Sequence, residues 1–410
     1  MNNIDYQSLK REFGTPLYVY DENHILNIMK AYKDNFVSEK FNTSVLYASK
    51  ALSIIKIYKL CKEMNLKADV VSGGEIYTAL IAGMNPSDLY FHGNNKTPEE
   101  IEFALKNGVN HIVIDSYDDF LLVDYVSNQL KKEVHSLIRL NVGVEAHTHK
   151  FIVTAHVDSK FGLLIDSEEL NKTLLGIKNS NYIKLEGFHS HIGSQIFEME
   201  GFYAAIDKLL IYMQRFDDTL SLNIGGGFGS RYTSNDKPIP TSDLCKMLIN
   251  YTENKLNELN LNINNLMIEP GRSIVCEAGS TLYTIGNIKQ TPNRLYYFVD
   301  GGMTDNIRPA LYQAKYDAYI VGKENDEANN LVTVAGKCCE SGDILIEDIK
   351  MPEAKRDDLM VVRSTGAYGY SMSSNYNKAP KCAVVFVRDG KSSLAVKRQT
   401  YEDMILNEIK

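Results

Sequence analysis

Three features of this 410-residue sequence have the residue types and spacing of a reactive centre. Lys50 follows directly on a short apolar run, 45–49, at a point where a strand is expected to end. A glycine triplet, 225–227, and a glutamate, Glu269, stand at the ends of two further apolar runs. An amine can form an imine, successive glycines let backbone N–H groups approach an anion, and a carboxylate can hold a proton on a ring nitrogen. Together these features predict a site for pyridoxal phosphate (PLP), which carries an aldehyde, a phosphate and a pyridine ring.

Taken singly, each feature has a more frequent explanation. An isolated Lys50 is most often a surface lysine at the start of a helix, and a glycine triplet is most often a tight turn. The combination reverses this preference, because the three features match three different groups of one cofactor. Residues 269–272, with the sequence Glu-Pro-Gly-Arg, would supply further N–H donors to the same phosphate.

Two pairs of histidines have the spacing of a shared strand face. His189 and His191 are two residues apart, as are His147 and His149. This spacing suits a metal ion, but no cluster of cysteine or acidic ligands stands at metal spacing nearby, so no metal site is predicted. Stacking of the His191 imidazole on a flat aromatic cofactor is the favoured interpretation.

These residues need elements that bring distant strand ends together. Short apolar runs alternate with amphipathic helical stretches between residues 41 and 275, which predicts an α/β fold with a parallel sheet. Eight such units over about 230 residues indicate a (β/α)8 TIM barrel, whose active-site residues gather at the carboxyl ends of the strands. The predicted strands are 45–49, 68–72, 90–93, 111–115, 136–142, 185–192, 221–224 and 266–269.

An open doubly wound sheet is the competing architecture. Such a sheet normally carries its glycine-rich turn after the first strand, whereas the triplet 225–227 follows the seventh predicted strand. Polar residues stand at nearly every predicted strand end. The barrel explains this better, because all eight ends meet at one mouth.

The pattern changes after about residue 280 to short strand-like runs separated by turn residues, which is typical of an antiparallel β domain. We therefore predict a PLP-binding barrel over residues 25–275 and a β-barrel or β-sandwich domain over 276–410. The segment 1–24 contains a strand-like run, 16–20, and is expected to join the second domain. The strands predicted for the second domain are 296–299, 316–321, 331–334, 343–347, 359–363, 382–387 and 394–397.

The composition excludes several classes of protein. With 44% hydrophobic and 23% charged residues the chain has an ordinary globular composition, and its length favours two domains. A net charge of −8 argues against electrostatic binding to nucleic acid or to an anionic membrane. The sequence shows no secretory signal and no apolar run of membrane-spanning length, and its six cysteines form no C-x-x-C pair. A cytoplasmic protein with reduced thiols is therefore expected.

The motifs at these strand ends resemble those of the diaminopimelate decarboxylases, which belong to the alanine-racemase-like, fold-type III group of PLP-dependent enzymes. The resemblance extends from about residue 10 to 405 and includes both predicted domains. Its barrel motifs are Tyr-Ala-Ser-Lys at 47–50, His-Ser-His-Ile-Gly-Ser-Gln at 189–195, Gly-Gly-Gly-Phe-Gly at 225–229 and Glu-Pro-Gly-Arg at 269–272. Its second-domain motifs are Arg-Pro-Ala-Leu-Tyr at 308–312, Cys-Glu-Ser-Gly-Asp at 339–343 and the run 366–376.

The resemblance implies a role for each cofactor-binding residue. Lys50 would form the imine, His191 would stack on the ring face away from the substrate, and Glu269 would pair with the pyridinium nitrogen. Asp69 and Arg139 would form a supporting ion pair near Lys50. The other residues implied at the cofactor are Ser194, Gly225, Gly226, Gly227, Gly271, Arg272 and Tyr368.

The resemblance also implies a substrate site. Arg272, Arg308 and Tyr312 would hold the distal carboxylate of meso-diaminopimelate, Glu340 would hold its distal ammonium, and Tyr368 would contact the cofactor or the substrate. Two arginines suit this substrate, because planar guanidinium groups bind carboxylates well and a distal amine alone would not need them.

Cys339 is the residue that the resemblance implies as the acid that reprotonates the carbanion. In this family the active site is completed across a homodimer interface, so Cys339 and Glu340 would come from the other subunit. A second thiol, Cys338, precedes Cys339 where the family usually has proline. The identity of the acid is therefore open between Cys339 alone and the two thiols together.

Glu269 favours decarboxylation over racemisation. A carboxylate keeps the pyridine ring protonated and strengthens the electron sink that a carbanion needs, whereas a racemase of this fold generally places an arginine there. The sequence thus predicts conversion of meso-diaminopimelate to L-lysine and CO2. The alternatives are a fold-type III decarboxylase of D-ornithine, D-lysine or carboxynorspermidine, and a PLP-binding carrier without catalysis.

Overall fold

The structure is a computed structural model that describes residues 4–144 and 159–409. The chain divides into two compact units. The barrel unit comprises residues 28–229 and 238–271, and the β unit comprises the chain up to residue 27, residues 230–237 and the chain from residue 272. The domain limits expected from the sequence, 25–275 and 276–410, stay a prediction.

The strands of the described residues alternate with helices in the first two-thirds of the chain and follow one another closely after that. In chain order they are β1 (Leu17–Asp21), β2 (Asn42–Ala48), β3 (Lys67–Val70), β4 (Leu89–Phe91), β5 (His111–Ile114), β6 (Val134–Asn141), β7 (Leu163–Leu164), β8 (Ile183–His189), β9 (Ser221–Asn223), β10 (Asn265–Ile268), β11 (Gly279–Gln290), β12 (Leu295–Val299), β13 (Ala318–Ile320), β14 (Asn330–Ala335), β15 (Ile344–Met351), β16 (Leu359–Val362), β17 (Ala383–Arg388) and β18 (Lys391–Val396).

None of the described helices combines the length and the apolarity that a membrane crossing requires. They are α1 (Tyr6–Phe13), α2 (Glu22–Asn35), α3 (Ile55–Met64), α4 (Gly73–Ile81), α5 (Pro98–Lys106), α6 (Tyr117–Leu130), α7 (Glu168–Asn179), α8 (Glu200–Met213), α9 (Thr241–Leu259), α10 (Arg272–Val275), α11 (Arg308–Tyr312) and α12 (Tyr401–Met404).

The predicted (β/α)8 barrel is confirmed. Within the described ranges, eight strands pair in parallel in the order β2-β3-β4-β5-β6-β8-β9-β10, and β10 pairs again with β2 to close the sheet. The strand ends differ slightly from the prediction. For example, β8 occupies Ile183–His189 where 185–192 was expected, because residues 190–194 leave the ladder and form a polar loop.

Local sequence explains where four helices of the barrel unit begin. Four helices follow a serine or threonine whose side chain accepts a hydrogen bond from a backbone N–H of the first turn, which satisfies one of the unpaired donors there. At α5 the cap is reciprocal, because the Glu100 side chain also accepts from the Thr97 N–H. The four capping residues are Ser72, Thr97, Ser116 and Ser167.

Apolar side chains fill the inside of the barrel unit. One residue from each of five strands meets in a single cluster, and each is at most 1% exposed. The five residues are Leu46, Tyr90, Val113, Leu137 and Met267.

Lys96, which follows β4, is a structural residue of the barrel unit. Its Nζ is buried and donates to Asp119 Oδ2 at 2.7 Å, to the Val113 carbonyl at 2.7 Å and to the Gly93 carbonyl at 2.8 Å. Lys96→Ala is expected to lower the free energy of unfolding by about 3–5 kcal/mol, because it leaves the buried Asp119 carboxylate without its cation. Urea denaturation measures this loss.

The control for this prediction is Lys106→Ala on α5, which removes an exposed ion pair with Glu102. Exposed helix pairs contribute only about 0.3–0.5 kcal/mol, so this variant is expected to unfold almost as the wild type does. Equal losses in the two variants would contradict a structural role for Lys96.

The β unit contains a mixed sheet that is mostly antiparallel, as the sequence predicted. Its order is β15-β14-β12-β11-β1-β17-β18, and β16 joins β11 to β13. Two pairs are parallel, β1 with β17 and β12 with β14. Strand β1 is central rather than peripheral, because it lies between β11 and β17, and its side chains Leu17 and Val19 are fully buried in the core of this unit.

Strand β11, the longest of the β unit, was not predicted from the sequence. Gly279 and Gly286 interrupt its apolar pattern and its last four residues are exposed, and both features argue against a strand. Gly279 is required there, because a Cβ on it would lie 2.2 Å from Gly366 Cα. The register of β11 with β12 also shifts between Ile285 and Ile288, where Gly286 stands.

Candidate active site

The carboxylate of Glu269 is the centre of a buried polar cluster at the carboxyl ends of the barrel strands. Glu269 follows β10 directly and is 5% exposed. Asn223, the last residue of β9, donates from Nδ2 to its Oε1 at 2.7 Å, and His189, the last residue of β8, places Nε2 at 3.2 Å from its Oε2. His92, just after β4, places Nε2 at 3.0 Å from Oε1. Three strands therefore position groups around this one carboxylate, which a fourth strand, β10, carries.

These contacts keep Glu269 ionised. Burial alone would raise the pKa of Glu269, but His92 and His189 outweigh burial and hold the pKa well below its usual range. Burial lowers the pKa of His189 to about 4, so this ring is neutral at physiological pH. An anionic carboxylate with donors on both oxygens is suited to hold a proton on a nearby ring nitrogen.

His92, His189 and Glu269 are also close enough to bind a metal ion, because their ligand atoms lie within 4.8 Å of one another. The contacts seen here are of another kind. His189 is hydrogen-bonded to the carboxylate, and the amide of Asn223 donates to the same group. The sequence analysis weighed a metal at His189 and His191 and expected none. The other pair considered, 147 and 149, lies outside the described residues.

Asp69 and Arg139, expected to pair with each other, have different partners in the structure. Asp69, in β3, lies with Oδ1 at 3.9 Å from His92 Nε2, whereas Arg139, in β6, pairs with Asp115 Oδ1 at 3.7 Å. Burial raises the pKa of Asp69, and the charges of His92, Lys50 and Arg139 oppose this. Arg139 therefore acts on Asp69 through its field rather than through a direct contact.

Lys50 lies where the sequence placed it, just past β2. It occupies a short 3-10 turn, Ser49–Ala51, and its side chain is exposed while the strand before it is buried. Its charge acts on Asp69 and on His191, since it lowers the pKa of both groups. The amine is therefore solvent-accessible at the same end of the barrel as Glu269.

The glycine triplet packs too tightly for side chains. A Cβ on Gly226 would lie 2.1 Å from the Glu269 carbonyl oxygen, and one on Gly225 would lie 2.5 Å from the Ser190 carbonyl oxygen, at a φ of +69°. The N–H of Gly226 donates to His191 Nδ1 at 3.2 Å. The loop thus brings its backbone directly against the His191 ring.

His191 is a neutral imidazole at this site. Burial lowers its pKa well below the usual range, and the charges of Lys50 and Arg139 lower it further. A cavity of about 280 Å³ is lined by His191, Arg139, Gly193 and Ser190 among others. The ring is therefore placed beside open space, as an aromatic group that stacks on a cofactor must be.

The residues present fit PLP. Three buried polar atoms around Glu269 have no hydrogen bond, namely Asp69 Oδ1, His92 Nε2 and His189 Nδ1. Buried polar atoms without a partner are rare in protein cores and need an explanation, such as a catalytic role or a bound group. Together with the side-chain-free glycine loop and the accessible amine of Lys50, they match the ring, phosphate and aldehyde of the cofactor.

The β unit contains a second cluster, built from two arginines and four tyrosines. The guanidinium groups of Arg272 and Arg308 lie 5.5 and 4.8 Å from the centre of the Tyr232 ring, and 4.8 and 5.8 Å from that of Tyr368. Arg308 donates to the Tyr316 hydroxyl at 2.8 Å, and Arg272 donates to the Tyr232 hydroxyl. Aromatic faces attract cations, so these rings hold two like charges in one place.

Tyr368 and Tyr312 hold different positions in this cluster. Tyr368 has a φ of +62°, an unusual backbone conformation for a bulky residue and one that is typical of functional sites. Tyr312, the last residue of α11, is 60% exposed and lies 5.9 Å from the Arg308 guanidinium. Its hydroxyl is therefore available to a ligand that the arginines bind.

Cys339 and Glu340 lie in an exposed loop that Asp343 organises. The Asp343 carboxylate accepts from the N–H groups of Met303 at 2.6 Å and of Cys338 at 2.7 Å. Burial and the charge of Asp343 raise the pKa of the Cys338 thiol to about 11. The side chain of Cys339 points into solvent, so the two neighbouring thiols are in different environments.

Several residues of these clusters escaped the sequence analysis. His92 and His189 were recognised as polar strand ends but received no role, and Asn223 was not recognised. Tyr232 was missed because nothing in the sequence relates it to Arg272, 40 residues away. His92 could have been found by asking which strand-end side chains face Glu269.

The chain is similar to known proteins over almost its whole length. A family model for "Pyridoxal-dependent decarboxylase, pyridoxal binding domain" matches residues 22–276. The chain is 45% identical to a diaminopimelate decarboxylase from Bacillus methanolicus, over 97% of this chain and 94% of the relative. A relative of the same name from Staphylococcus aureus is 44% identical over 100% and 97% of the two chains.

Solved structures agree. The crystal structure of diaminopimelate decarboxylase from M. jannaschii in co-complex with L-lysine matches with a TM-score of 0.92 at 31% identity, over 99% of this chain and 94% of that chain. A lysine/ornithine decarboxylase from Vibrio vulnificus shares the fold, with a TM-score of 0.77 at 20% identity.

The fold and the buried site define the class, a PLP-dependent carboxy-lyase of fold type III. PLP is therefore the cofactor. Within that class, the chain belongs to the diaminopimelate decarboxylase family.

Proposed function

We propose that the chain removes one carboxylate from meso-2,6-diaminopimelate to give L-lysine and CO2, the last step of lysine biosynthesis. The observation that carries the substrate assignment is the pair of guanidinium groups, Arg272 and Arg308, held around the shared rings of Tyr232 and Tyr368. A substrate with a distal carboxylate needs such a pair of guanidinium groups, whereas an amino acid whose distal group is only an amine does not. The identity of 44–45% to proteins of that name supports the same assignment.

Barrel-unit residues bind and tune the cofactor in this proposal. Lys50 holds PLP covalently, the backbone of residues 225–227 with Gly271 and Ser194 binds the phosphate, and His191 stacks on the ring. The Glu269 carboxylate keeps a proton on the ring nitrogen. Bound PLP supplies an electron sink, because its protonated ring takes up the electron pair that is left when CO2 departs.

Residues of the β unit bind the substrate and complete the reaction. Arg272, Arg308 and Tyr312 bind the distal carboxylate, and Glu340 binds the distal ammonium. As the carbon–carbon bond breaks, CO2 leaves without the electron pair of that bond. The Cys339 thiol then donates its proton to the α-carbon and recovers one from solvent, so the substrate exchanges one carboxylate for one hydrogen.

We further propose that the enzyme acts as a homodimer in which Cys339 and Glu340 complete the partner's site. Both side chains are exposed on the described chain, although the proposed reaction requires them at the substrate. A cytoplasmic location belongs to the same proposal, since all six cysteines are free and a biosynthetic enzyme works where its cofactor is made available.

The proposal is tested with a panel of substrates. The PLP-loaded protein is given meso-diaminopimelate, D-ornithine, D-lysine and carboxynorspermidine, and kcat/KM is compared. We expect a strong preference for meso-diaminopimelate. A comparable or higher kcat/KM for a substrate without the distal carboxylate would overturn the substrate assignment and would favour the alternative fold-type III decarboxylases.

Arg308→Ala is expected to raise KM for meso-diaminopimelate by about 10–100-fold while kcat changes little, because a charge-assisted hydrogen bond to a carboxylate contributes about 1.5–3 kcal/mol. Steady-state kinetics measures the split between KM and kcat. The matched control is Arg363→Ala, which removes another guanidinium of the same unit, stacked on Tyr319 at 4.6 Å. An unchanged KM in Arg308→Ala would remove the main reason for preferring a dicarboxylated substrate.

A further inference from the structure

His92 belongs to the Glu269 cluster, and the proposed reaction assigns it no role. Its backbone N–H donates to the Val70 carbonyl at 2.8 Å, which continues the ladder of β4 with β3 and fixes the position of the residue. The side chain is 6% exposed and its ring packs edge-on against His189 at 4.9 Å. Strand pairing and ring packing thus leave the imidazole little freedom.

The His92 Nε2 atom faces two carboxylates. It lies 3.0 Å from Glu269 Oε1 and 3.9 Å from Asp69 Oδ1, and it makes no aligned hydrogen bond to either. Asn223 and His189 already donate to Glu269, one to each oxygen. Because a carboxylate offers about four acceptor positions, Glu269 retains a position for the N–H of a cofactor ring. The contribution of His92 is therefore charge rather than another aligned donor.

The charges around His92 favour its protonated form. Burial alone would lower the pKa of His92, but Asp69 and Glu269 outweigh burial and raise it. Arg139, in β6, opposes protonation of His92, because its charge lowers the pKa of His92. The charge of Lys50, after β2, acts on Asp69.

His189, whose pKa burial lowers to about 4, is neutral and cannot supply the charge. His92 is thus the histidine at Glu269 whose protonated form the two carboxylates favour. If it is removed, Glu269 keeps two donors in a buried site that disfavours its charge.

We propose that His92 is a positioning residue which, as the cation between Asp69 and Glu269, keeps Glu269 anionic and thereby keeps the ring nitrogen of bound PLP protonated. This inference rests on one part of the proposed function, namely that the Glu269 carboxylate contacts the ring nitrogen of PLP. It does not depend on which amino acid is the substrate.

The test uses the cofactor without any substrate. Apo protein of the wild type, His92→Leu and His92→Gln is titrated with PLP, and the induced circular dichroism of the bound cofactor gives the dissociation constant. The chain contains no tryptophan, so its own fluorescence is a poor reporter. The visible absorption of each loaded protein is then followed from about pH 6 to pH 9, because the band ratio reports protonation of the bound cofactor.

We expect the wild-type spectrum to stay constant over this range. In both variants PLP should bind about 10–100-fold more weakly, the size of effect found when a residue supporting a ligand-binding group is lost. Without the His92 charge, Glu269 should take up the proton that it otherwise leaves on the ring nitrogen, so the band ratio of both variants should depart from that of the wild type within the measured range. Glutamine retains a donor but no charge, so it should reproduce the spectral change of leucine.

The matched control is His111→Leu. His111, the first residue of β5, places Nδ1 at 2.8 Å from Glu186 Oε2. The control therefore also removes a contact between a histidine and a glutamate, but at the opposite end of a barrel strand. It should bind PLP with the wild-type spectrum and affinity.

The inference is overturned if His92→Gln keeps the wild-type spectrum throughout the range, or if His92→Leu matches the control in both affinity and pH response. The glutamine variant keeps the test decisive even if the leucine variant folds poorly. A failure of the substrate panel would leave these readouts unchanged, so failure of the proposed function and failure of this inference are distinguishable.

Discussion

Lys50→Ala is expected to lower kcat by at least about 10³-fold, because the amine that holds the cofactor covalently and activates it has no substitute in the barrel unit. Lys50 lies just past β2 in a short turn, and its charge acts on Asp69 and His191. An alanine there removes the covalent link but leaves the glycine loop and Glu269 in place. The variant should therefore still bind PLP, more weakly, while CO2 release from meso-diaminopimelate falls to background.

A chemical measurement separates this role from a structural one. Borohydride treatment of the PLP-loaded wild type should fix the cofactor to the amine that holds it, and peptide mapping should locate it on Lys50. The control is Lys59→Ala, which changes an exposed lysine of the next helix, α3. It should retain full activity and the same labelled peptide. A label on another lysine, or substantial turnover by Lys50→Ala, would contradict the assignment.

Cys339→Ala is expected to lower kcat by about 10²–10⁴-fold while the affinity for PLP is unchanged, because a positioned proton donor contributes a factor of this size. The Cys339 backbone is held by Asn377, whose Oδ1 accepts the Cys339 N–H at 2.8 Å, so the loss of the thiol should not displace the loop. Steady-state kinetics and a PLP titration measure the two effects separately.

Cys338→Ala is the matched control for the neighbouring thiol. Burial and Asp343 raise the pKa of Cys338 to about 11, and its side chain is half-buried, so its removal should leave most of the turnover. Equal losses in the two variants would mean that Cys339 is not the sole donor.

Cys339→Ala, mixed with Lys50→Ala, also tests whether the active sites are shared between subunits. Lys50→Ala and Cys339→Ala are each inactive alone in this account. If Cys339 serves the partner's site, mixing the two proteins under conditions of subunit exchange should restore about a quarter of the wild-type activity, because random pairing makes half of the dimers mixed and each mixed dimer has one intact site. No recovery, with exchange verified independently, would place Cys339 in the site of its own chain.

The sequence predicted the barrel well for a physical reason. Each barrel strand is a short apolar run bounded by helical periodicity, and the eight strands pair in chain order, so local pattern and topology agree. The β unit was harder, because its pairing is between distant segments. Strand β1 lies beside β17 nearly the whole chain away, and β11 was missed because its glycines serve close backbone contacts that only the folded unit shows.

The site was predictable in its parts but not in its contacts. Lys50, the glycine triplet and Glu269 carry chemical signatures and stand at strand ends, so their types and positions indicated a PLP site. The partners of Asp69 and Arg139 could not be predicted from the sequence, because several acidic and basic residues stand at strand ends. Only the folded structure shows that Asp69 lies beside His92 and that Arg139 pairs with Asp115. The tyrosines around Arg308 were equally hidden, since tyrosine in a sequence gives no sign of stacking on a guanidinium.

The central claim is that this chain decarboxylates meso-diaminopimelate with PLP, and one measurement tests it directly. The purified protein is loaded with PLP, binding is verified by absorption, and CO2 and L-lysine are quantified after addition of meso-diaminopimelate. The account predicts one CO2 and one L-lysine for each substrate consumed, and neither product from Lys50→Ala. Loaded wild-type protein that releases no CO2, or that releases CO2 without L-lysine, would contradict the account.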